Sequence, residues 1–400
     1  MNILFITPCF EPAWSAGGVV TSTKNLCIEL ARQGSKITIY TTNFDGNKGC
    51  TDVDLKRLIS KDGINIMYFK NSILNRKAFY SSDLIEQLEI SISEFDIVNI
   101  SACWQLTGYI ASRVCKKNSI PYIITPHSSL MADSLRLVGN KLVKIFFYYT
   151  FLKNSIKNAT KIHYLSEGEK IESDKIKKWD SFVISNGTTS CFSYKDPKRK
   201  IEIENFKSNY KLLNDELILL YLGRIHPKKN LDITVKTLAL LIKKKLKVKL
   251  LIVGNIEDSE YATRVKILIK KFNLNSNIIW LEGVPHHNVY FYYNLADILI
   301  LNSSTEGVSM SVIEALSERL PILGSYGLAN FREIIAYRAG IICELDPPSI
   351  AKKLEEYILN RELLQELSVN SIKLFKDLYE IKNVAKKTII MYQQIKKNYL

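Results

Sequence analysis

The 400-residue chain lacks the devices that mark several broad protein classes. Its seven cysteines, at 9, 27, 50, 103, 115, 191 and 343, are odd in number and include no C-x-x-C pair. Neither a disulfide framework nor a zinc knuckle follows from them, and a reducing, cytoplasmic setting fits best. No apolar run approaches the roughly 20 residues that span a bilayer. The first ten residues, MNILFITPCF, carry no basic leader and reach Pro8 too early for a secretory signal, so they read as a buried strand. The chain has no G-x-x-x-x-G-K-[ST] loop, no H-E-x-x-H and no G-x-S-x-G elbow, which sets aside three common catalytic fingerprints. No short-period repeat marks a solenoid.

What is present is an ordinary soluble composition, 46% hydrophobic and 24% charged, with enough chain for two domains. The net charge of +15 is unevenly spread. From Ser101 to Lys161 the basic residues are Arg113, Lys116, Lys117, Arg136, Lys141, Lys144, Lys153, Lys157 and Lys161, against Asp133 alone. Such a region suits an anionic partner: phosphates, nucleic acid or an acidic membrane surface.

Short apolar runs alternate with helical patterns. In the first half NILFIT, KITIYTT, FDIVNIS, PYIITPH, KIHYLS and SFVISNG read as strands, and Ser22–Gln33 as a helix ended by Gly34. The second half begins the pattern again with LILLYLG, KLLIVG, NIIWLEG, ADILILN and LPILGS, three of which end on Gly. The expectation is an α/β protein with two doubly wound sheets, and ligands bound beyond the carboxyl ends of the strands, by default in the cleft between the domains. The first domain is placed at 1–186 and the second at 187–379.

Polar residues gather at the expected strand ends. After LILLYLG comes Arg224-Ile-His-Pro-Lys-Lys229-Asn, a basic turn suited to a diphosphate. After ADILILN comes Asn302-Ser-Ser-Thr-Glu306-Gly, then a helix carrying Glu314. The amides of Val308, Ser309 and Met310 fall near that helix start, where N–H groups attract anions. The two glutamates could accept hydrogen bonds from vicinal hydroxyls of a ribose or hexose. A plainer alternative exists, because Ser311 and Glu314 have the spacing of a capping box. Gly17-Gly18 after the first strand could cradle a phosphate, although the loop is not G-x-G-x-x-G. His127, in ITPHSSL, stands just past a strand end. Asp52-Val53-Asp54 imitates a metal-binding D-x-D but lies in a polar segment, and His286-His287 has no carboxylate or cysteine spaced for a metal. No metal is expected.

Together the AGGV loop, TPHSSL, the SNG at Ser185–Gly187, GRIHPKKN, EGVSMSVIEAL and a closing amphipathic helix resemble the family 4 (group 1) retaining nucleotide-sugar glycosyltransferases, which have the GT-B fold of two Rossmann-like domains facing a cleft. Glu306 and Glu314 match that family's glutamate pair. The resemblance implies that Arg224 and Lys229 neutralise the departing diphosphate, Glu314 holds the ribose and Glu306 the transferred sugar. It implies that Gly17, Gly18 and the amides after Gly307 close around phosphate and sugar, and that His127 contacts the sugar near the reacting carbon. It also implies catalysis without metal, an acceptor on the first domain, and a closing helix, at about 380–400, that returns to the first domain. The chain departs from the family where EGFG is usual and Glu306-Gly-Val-Ser309 stands, which puts a side chain beside the sugar.

The stretch Lys141–Lys157, KLVKIFFYYTFLKNSIK, sets aromatics among lysines, a pattern suited to peripheral contact with anionic lipid at the inner face of the plasma membrane. A lipid-linked saccharide in surface-polysaccharide assembly is the expected acceptor. The rival readings are a soluble enzyme acting on a small sugar or sugar phosphate, a sugar-nucleotide epimerase, and a basic nucleic-acid-binding protein. The last lacks an RNA-binding aromatic signature or a helix-turn-helix and leaves the glutamates unexplained.

Overall fold

The computed structural model describes residues 1–14, 17–45, 49, 51–72, 80–131, 145–189, 197–285 and 288–399. They fall into two compact α/β units, Met1–Gly187 with Ile381–Leu400, and Thr188–Glu380.

The strands of the first unit are β1 (Asn2–Thr7), β2 (Lys36–Thr42), β3 (Leu58–Lys61), β4 (Ile64–Phe69), β5 (Ile97–Ser101), β6 (Tyr122–Thr125), β7 (Lys161–Tyr164) and β8 (Ser181–Val183). They lie in the order β3-β4-β2-β1-β5-β6-β7-β8. All neighbours are parallel except β3 and β4. Helices cover both faces, which is why β1 reads as an unbroken apolar run. Leu4 and Ile6 pack on one side with Leu84, Leu88, Ala111 and Val114. Ile3 and Phe5 pack on the other with Cys27 and Leu30, and with Val384 and Tyr392 of the closing helix.

The second unit holds β9 (Leu217–Leu222), β10 (Val248–Val253), β11 (Ile278–Leu281), β12 (Ile298–Leu301), β13 (Ile322–Ser325) and β14 (Gly340–Cys343). Their order, β11-β10-β9-β12-β13-β14, is wholly parallel and reverses direction between β9 and β12. In a sheet wound this way the loops after those two strands diverge and leave room for a ligand.

Every strand expected from the sequence forms, but three are additional. The β3–β4 hairpin turns on Asp62 and Gly63, both left-handed at φ 53 and φ 82. The short edge strand β14 lies against β13, where a Cβ at Gly340 would sit 2.1 Å from the Ile322 carbonyl oxygen. The first helix also starts earlier than expected, running Gly18–Arg32, because Gly17 caps it at φ 75.

The chain passes from the first unit to the second at Gly187–Thr188 and returns at Glu380–Ile381. The returning helix, Ile381–Tyr399, packs on Gly18–Arg32. It is fastened by Lys396 to Asp96 at 2.7 Å and by Asn99 Nδ2 donating to the Tyr392 hydroxyl at 2.8 Å. No described helix is long and apolar enough to cross a membrane.

Candidate active site

In the second unit, the turn after β9 and the loop after β12 are laced together. Asn230, itself left-handed at φ 49, donates from Nδ2 to the Asn302 carbonyl at 2.8 Å and to Ser304 Oγ at 2.7 Å. The Ser304 amide donates to the Lys228 carbonyl at 2.9 Å. This lacing sets Lys229 Nζ 2.7 Å from Glu306 Oε2, with Lys229 only 9% exposed. The backbone of Glu306 is held from its other side: its amide donates to Gly327 O at 2.8 Å, and its carbonyl accepts from the Ala329 amide at 2.9 Å. Gly327 is obligatory there, since a Cβ would meet Ser303 O at 2.2 Å.

The two basic residues of the turn therefore differ. Lys229 is buried against Glu306, whereas the Arg224 side chain is 62% exposed and pairs with Glu257 at 2.9 Å. The basic turn expected to meet a diphosphate thus has one inner ammonium and one outer guanidinium already tied to a carboxylate. The backbone beneath is anchored where the Tyr221 hydroxyl donates to the Arg224 carbonyl at 2.8 Å.

The capping-box alternative for Glu314 fails. The helix runs Met310–Ser317 with Ser309 as its N-cap, so Ser311 and Glu314 both lie inside it. A capping box needs its Ser at the N-cap and its Glu three residues on. Glu314 is 4% exposed and instead accepts at Oε2 from the Tyr293 hydroxyl at 3.0 Å. That carboxylate pushes the Tyr293 hydroxyl pKa well up, after burial itself. Tyr293, in the helix Val289–Leu295, and Gly327 had no motif to announce them. Val308, Ser309 and Met310 stand at the helix start, as expected, where first-turn amides have no partner within the helix.

In the first unit, Gly17 and Gly18 open the helix that follows β1, and the side where a Gly17 Cβ would point is open space. His127 and Ser128, just after β6, are both left-handed, at φ 49 and φ 63. His127 Nε2 lies 3.3 Å from Ser101 Oγ at the end of β5. Burial, with His163 nearby, pushes its pKa down from 6.5 to about 4, so the imidazole is neutral at pH 7. His163, on β7, is pushed to about 4 by burial and contacts Ile184 O at 2.7 Å. Asp54 is exposed and paired with Arg57 at 3.3 Å, and no His, Cys, Asp and Glu group that could hold a metal ion occurs among the described residues. His286 and His287 lie outside the described residues.

Two family models divide the chain between them: "Glycosyltransferase Family 4" matches residues 16–189 and "Glycosyl transferases group 1" matches residues 202–374. The chain belongs to the family 4, group 1 glycosyltransferases. This transferase is 26% identical to an uncharacterized glycosyltransferase of Haemophilus influenzae, over 92% of its own length and 94% of the relative's. It is 24% identical to the alpha-monoglucosyldiacylglycerol synthase of Streptococcus pneumoniae, covering 81% and 70%. With the capsular polysaccharide biosynthesis glycosyltransferase CapM of Staphylococcus aureus it shares 23%, covering 84% and 88%. Its GT-B fold is matched by sucrose-phosphate synthase from Thermosynechococcus elongatus at TM-score 0.75, 18% identity and 98% of each chain. The Anabaena protein HepE, solved in complex with UDP-glucose, matches at TM-score 0.73 and 14% identity, over 98% and 100%.

The aromatic, basic stretch of the transferase is partly core and partly surface. Phe147 packs on Trp104 with ring centroids 5.8 Å apart, Phe151 on Tyr109 at 5.1 Å, and Leu152 and Ile156 are buried. Phe146 and Tyr149 are 65% and 63% exposed, with Lys153 5.3 Å over the Tyr149 ring. Lys116, Lys117, Lys153 and Lys157 are exposed on the two helices that meet there, and Lys116 reaches Asn158 at 2.9 Å. Arg136, Lys141 and Lys144 lie outside the described residues.

Proposed function

We propose that the enzyme is a retaining glycosyltransferase that moves a hexose-type sugar from a nucleotide-sugar donor to a lipid-linked saccharide acceptor, in assembly of a bacterial-type surface polysaccharide. One observation carries the donor assignment: a buried ammonium and a carboxylate, Lys229 and Glu306, meet where the sheet of the second unit reverses order. A diphosphate draws on the first and sugar hydroxyls on the second. HepE, with UDP-glucose bound, supports a nucleotide sugar as donor, and CapM and the pneumococcal glycolipid synthase support an envelope polymer or glycolipid as product.

In this reading Glu306 neutralises Lys229 until the donor arrives. The diphosphate then takes the ammonium, the outer Arg224, and the amides of Val308, Ser309 and Met310, which together lower the cost of its departure. Glu314, already oriented by Tyr293, takes the ribose, and Glu306 takes the sugar. Gly17 and Gly18 admit close approach of phosphate and sugar, and His127, neutral, donates or accepts a hydrogen bond at the sugar. The acceptor oxygen attacks the anomeric carbon on the face the diphosphate leaves. The carbon–phosphate-oxygen bond breaks, and the acceptor's proton passes to a departing phosphate oxygen. Protein cations and amides meet the charge, with no resident metal in the scheme.

Thermal shift across UDP-, GDP- and ADP-sugars tests the donor assignment: one class raises Tm, and no stabilisation by any would overturn it. Proton NMR of the new linkage then reads retention, which inverted stereochemistry at the anomeric carbon would refute. Release of nucleoside diphosphate only when acceptor is present separates transfer from epimerisation.

A further inference from the structure

Glu169 is fully buried in the first unit, and the transfer scheme does not use it. It sits in the first turn of the helix Glu167–Asp174, whose N-cap Ser166 accepts its amide at 3.0 Å. It has the spacing of a capping box with Ser166, but its carboxylate also reaches beyond that helix. Oε1 accepts the Ser128 amide at 2.5 Å and Oε2 the Leu165 amide at 2.8 Å. One side chain thereby joins the turn after β6 to the end of β7. The residues it steadies are in unfavourable conformations: His127 and Ser128 are consecutive left-handed non-glycine residues, a geometry that persists only when its surroundings over-determine it. Other bonds on this turn run from Trp104 Nε1 to Ser129 O at 3.0 Å, from the Ser129 amide to Pro126 O at 3.2 Å, from the Met131 amide to the Ser128 carbonyl at 3.3 Å and between Ser101 Oγ and His127 Nε2 at 3.3 Å, while the Ser128 amide itself is held by Glu169.

We propose that Glu169 is a positioning residue for transfer: its buried carboxylate locks the left-handed His127–Ser128 turn and so fixes where the His127 imidazole is presented. The proposal rests on the reading that His127 serves the transferred sugar. Ionising a carboxylate in this position is unfavourable, since burial pushes its pKa up to about 7 against the two amides that pull it down. A group kept there against that cost, with both oxygens spent on backbone, is a bracket for the turn it grips.

Glu169→Gln keeps the size of the side chain but has one acceptor oxygen, so it can serve Ser128 or Leu165 and not both. In the presence of a lipid-linked saccharide acceptor, release of UDP from UDP-glucose, or of the matching diphosphate from the nucleotide sugar chosen by the donor screen, is followed for Glu169→Gln, His127→Ala and the double variant. The expected result is about a tenfold fall in kcat for Glu169→Gln with donor KM within twofold, and no further fall when the change is made on His127→Ala. Ser166→Ala, which weakens the helix cap and leaves the carboxylate, lowers Tm by a few degrees at unchanged kcat. In 15N-histidine-labelled protein, Glu169→Gln moves the His127 imidazole resonances and Ser166→Ala does not. If Glu169→Gln fails to fold, Glu169→Asp, too short to reach both amides, takes its place with the same readouts. Wild-type kcat in the Glu169 variant alongside a slow His127→Ala would overturn the proposal, as would fully additive losses in the double variant. Wild-type kcat in His127→Ala sinks the reading of His127 instead, while the imidazole resonances still test the bracket.

Discussion

Glu306 and Glu314 share a motif but not a situation. Glu314 is buried with one oxygen on Tyr293, whereas Glu306 is spent on Lys229 and is held by its own amide and carbonyl to one backbone segment, Gly327–Ala329. A Glu306→Gln substitution keeps those backbone bonds and a weaker bond to Lys229, so the fold survives and the charge proposed to grip the sugar is lost. The expected outcome is a fall in transfer of about 100-fold or more. The Tm should drop only a few degrees, at ~2–4 °C per kcal/mol for a unit of this size. A large loss of stability with transfer preserved would make Glu306 structural. The first unit has titrating groups of its own. His127 and His163 hold pKa values near 4, below 6.5 in the unfolded chain, so the unfolded state binds more protons between those values and stability is lost as pH falls from about 6.5 to about 4. Glu169, raised from 4.5 to about 7, acts with the opposite sign: its contribution is present below 4.5 and is lost as pH rises through about 7. Two groups oppose one at mildly acidic pH, so net stability falls on acidification there. His163→Gln, whose amide can still donate to Ile184 O, should shrink the difference in Tm between pH 7 and pH 5, and an unchanged difference would refute the assignment.

At the scale of elements, the loop Asn302–Gly307 depends on a strand it does not belong to. The segment after β13 zips against it through Gly327 O and the Ala329 amide, and a Cβ at Gly327 has no room beside Ser303 O and Ser304 O. Gly327→Ala must therefore push the loop, and Glu306 with it, away from Lys229. Donor KM should rise about tenfold or more while unit 1 is untouched, so limited proteolysis should cut first within Thr188–Glu380; an unchanged KM would mean that the zipper does not set the site. The same dependence explains what could be read in advance. Strands buried on both faces leave continuous apolar runs, and all eleven such runs form. The β3–β4 pair went unread because its residues alternate at a half-exposed sheet edge, with exposed Leu58 against buried Ile64 and Ile66, although the Asp62-Gly63 turn was a usable signal. Lys229, Glu306 and Glu314 were legible from spacing along single segments. Tyr293, Gly327 and Glu169 were not, since each matters through a residue distant in sequence that only the strand order brings near.

For the whole molecule, the closing helix and the uneven charge concern the same unit. Residues 381–399 complete the first unit's core, with Ile381, Val384, Tyr392 and Ile395 buried against Ile3, Phe5 and Leu30. The unit so completed carries exposed Arg113, Lys116, Lys117, Lys153 and Lys157 around exposed Ile145, Phe146 and Tyr149. Exposed apolar side chains among exposed cations suit a surface of anionic headgroups over acyl chains, and we propose this face for peripheral membrane contact, with the cations for attraction and the aromatics for anchoring. The rings that face inward, Phe147 and Phe151, already have partners in Trp104 and Tyr109, so the outward pair is available without unfolding anything. Attraction of this kind weakens as the Debye length shrinks from about 10 Å at 0.1 M salt to about 3 Å at 1 M. Co-sedimentation with phosphatidylglycerol-containing vesicles should therefore be strong at low salt and lost at high salt, and weak on phosphatidylcholine alone at either. Replacing Phe146 and Tyr149 together by Ser should reduce binding about tenfold or more at low salt, since each ring withdrawn from water is worth over 1 kcal/mol. The unfolding temperature should fall by no more than a few degrees, because both rings are mostly exposed, each packing on one other ring, Phe151 and Tyr148 respectively. Absence of binding at low salt would sink the membrane assignment and leave the basic surface to a soluble acceptor, while the donor machinery of the second unit would stand unaffected.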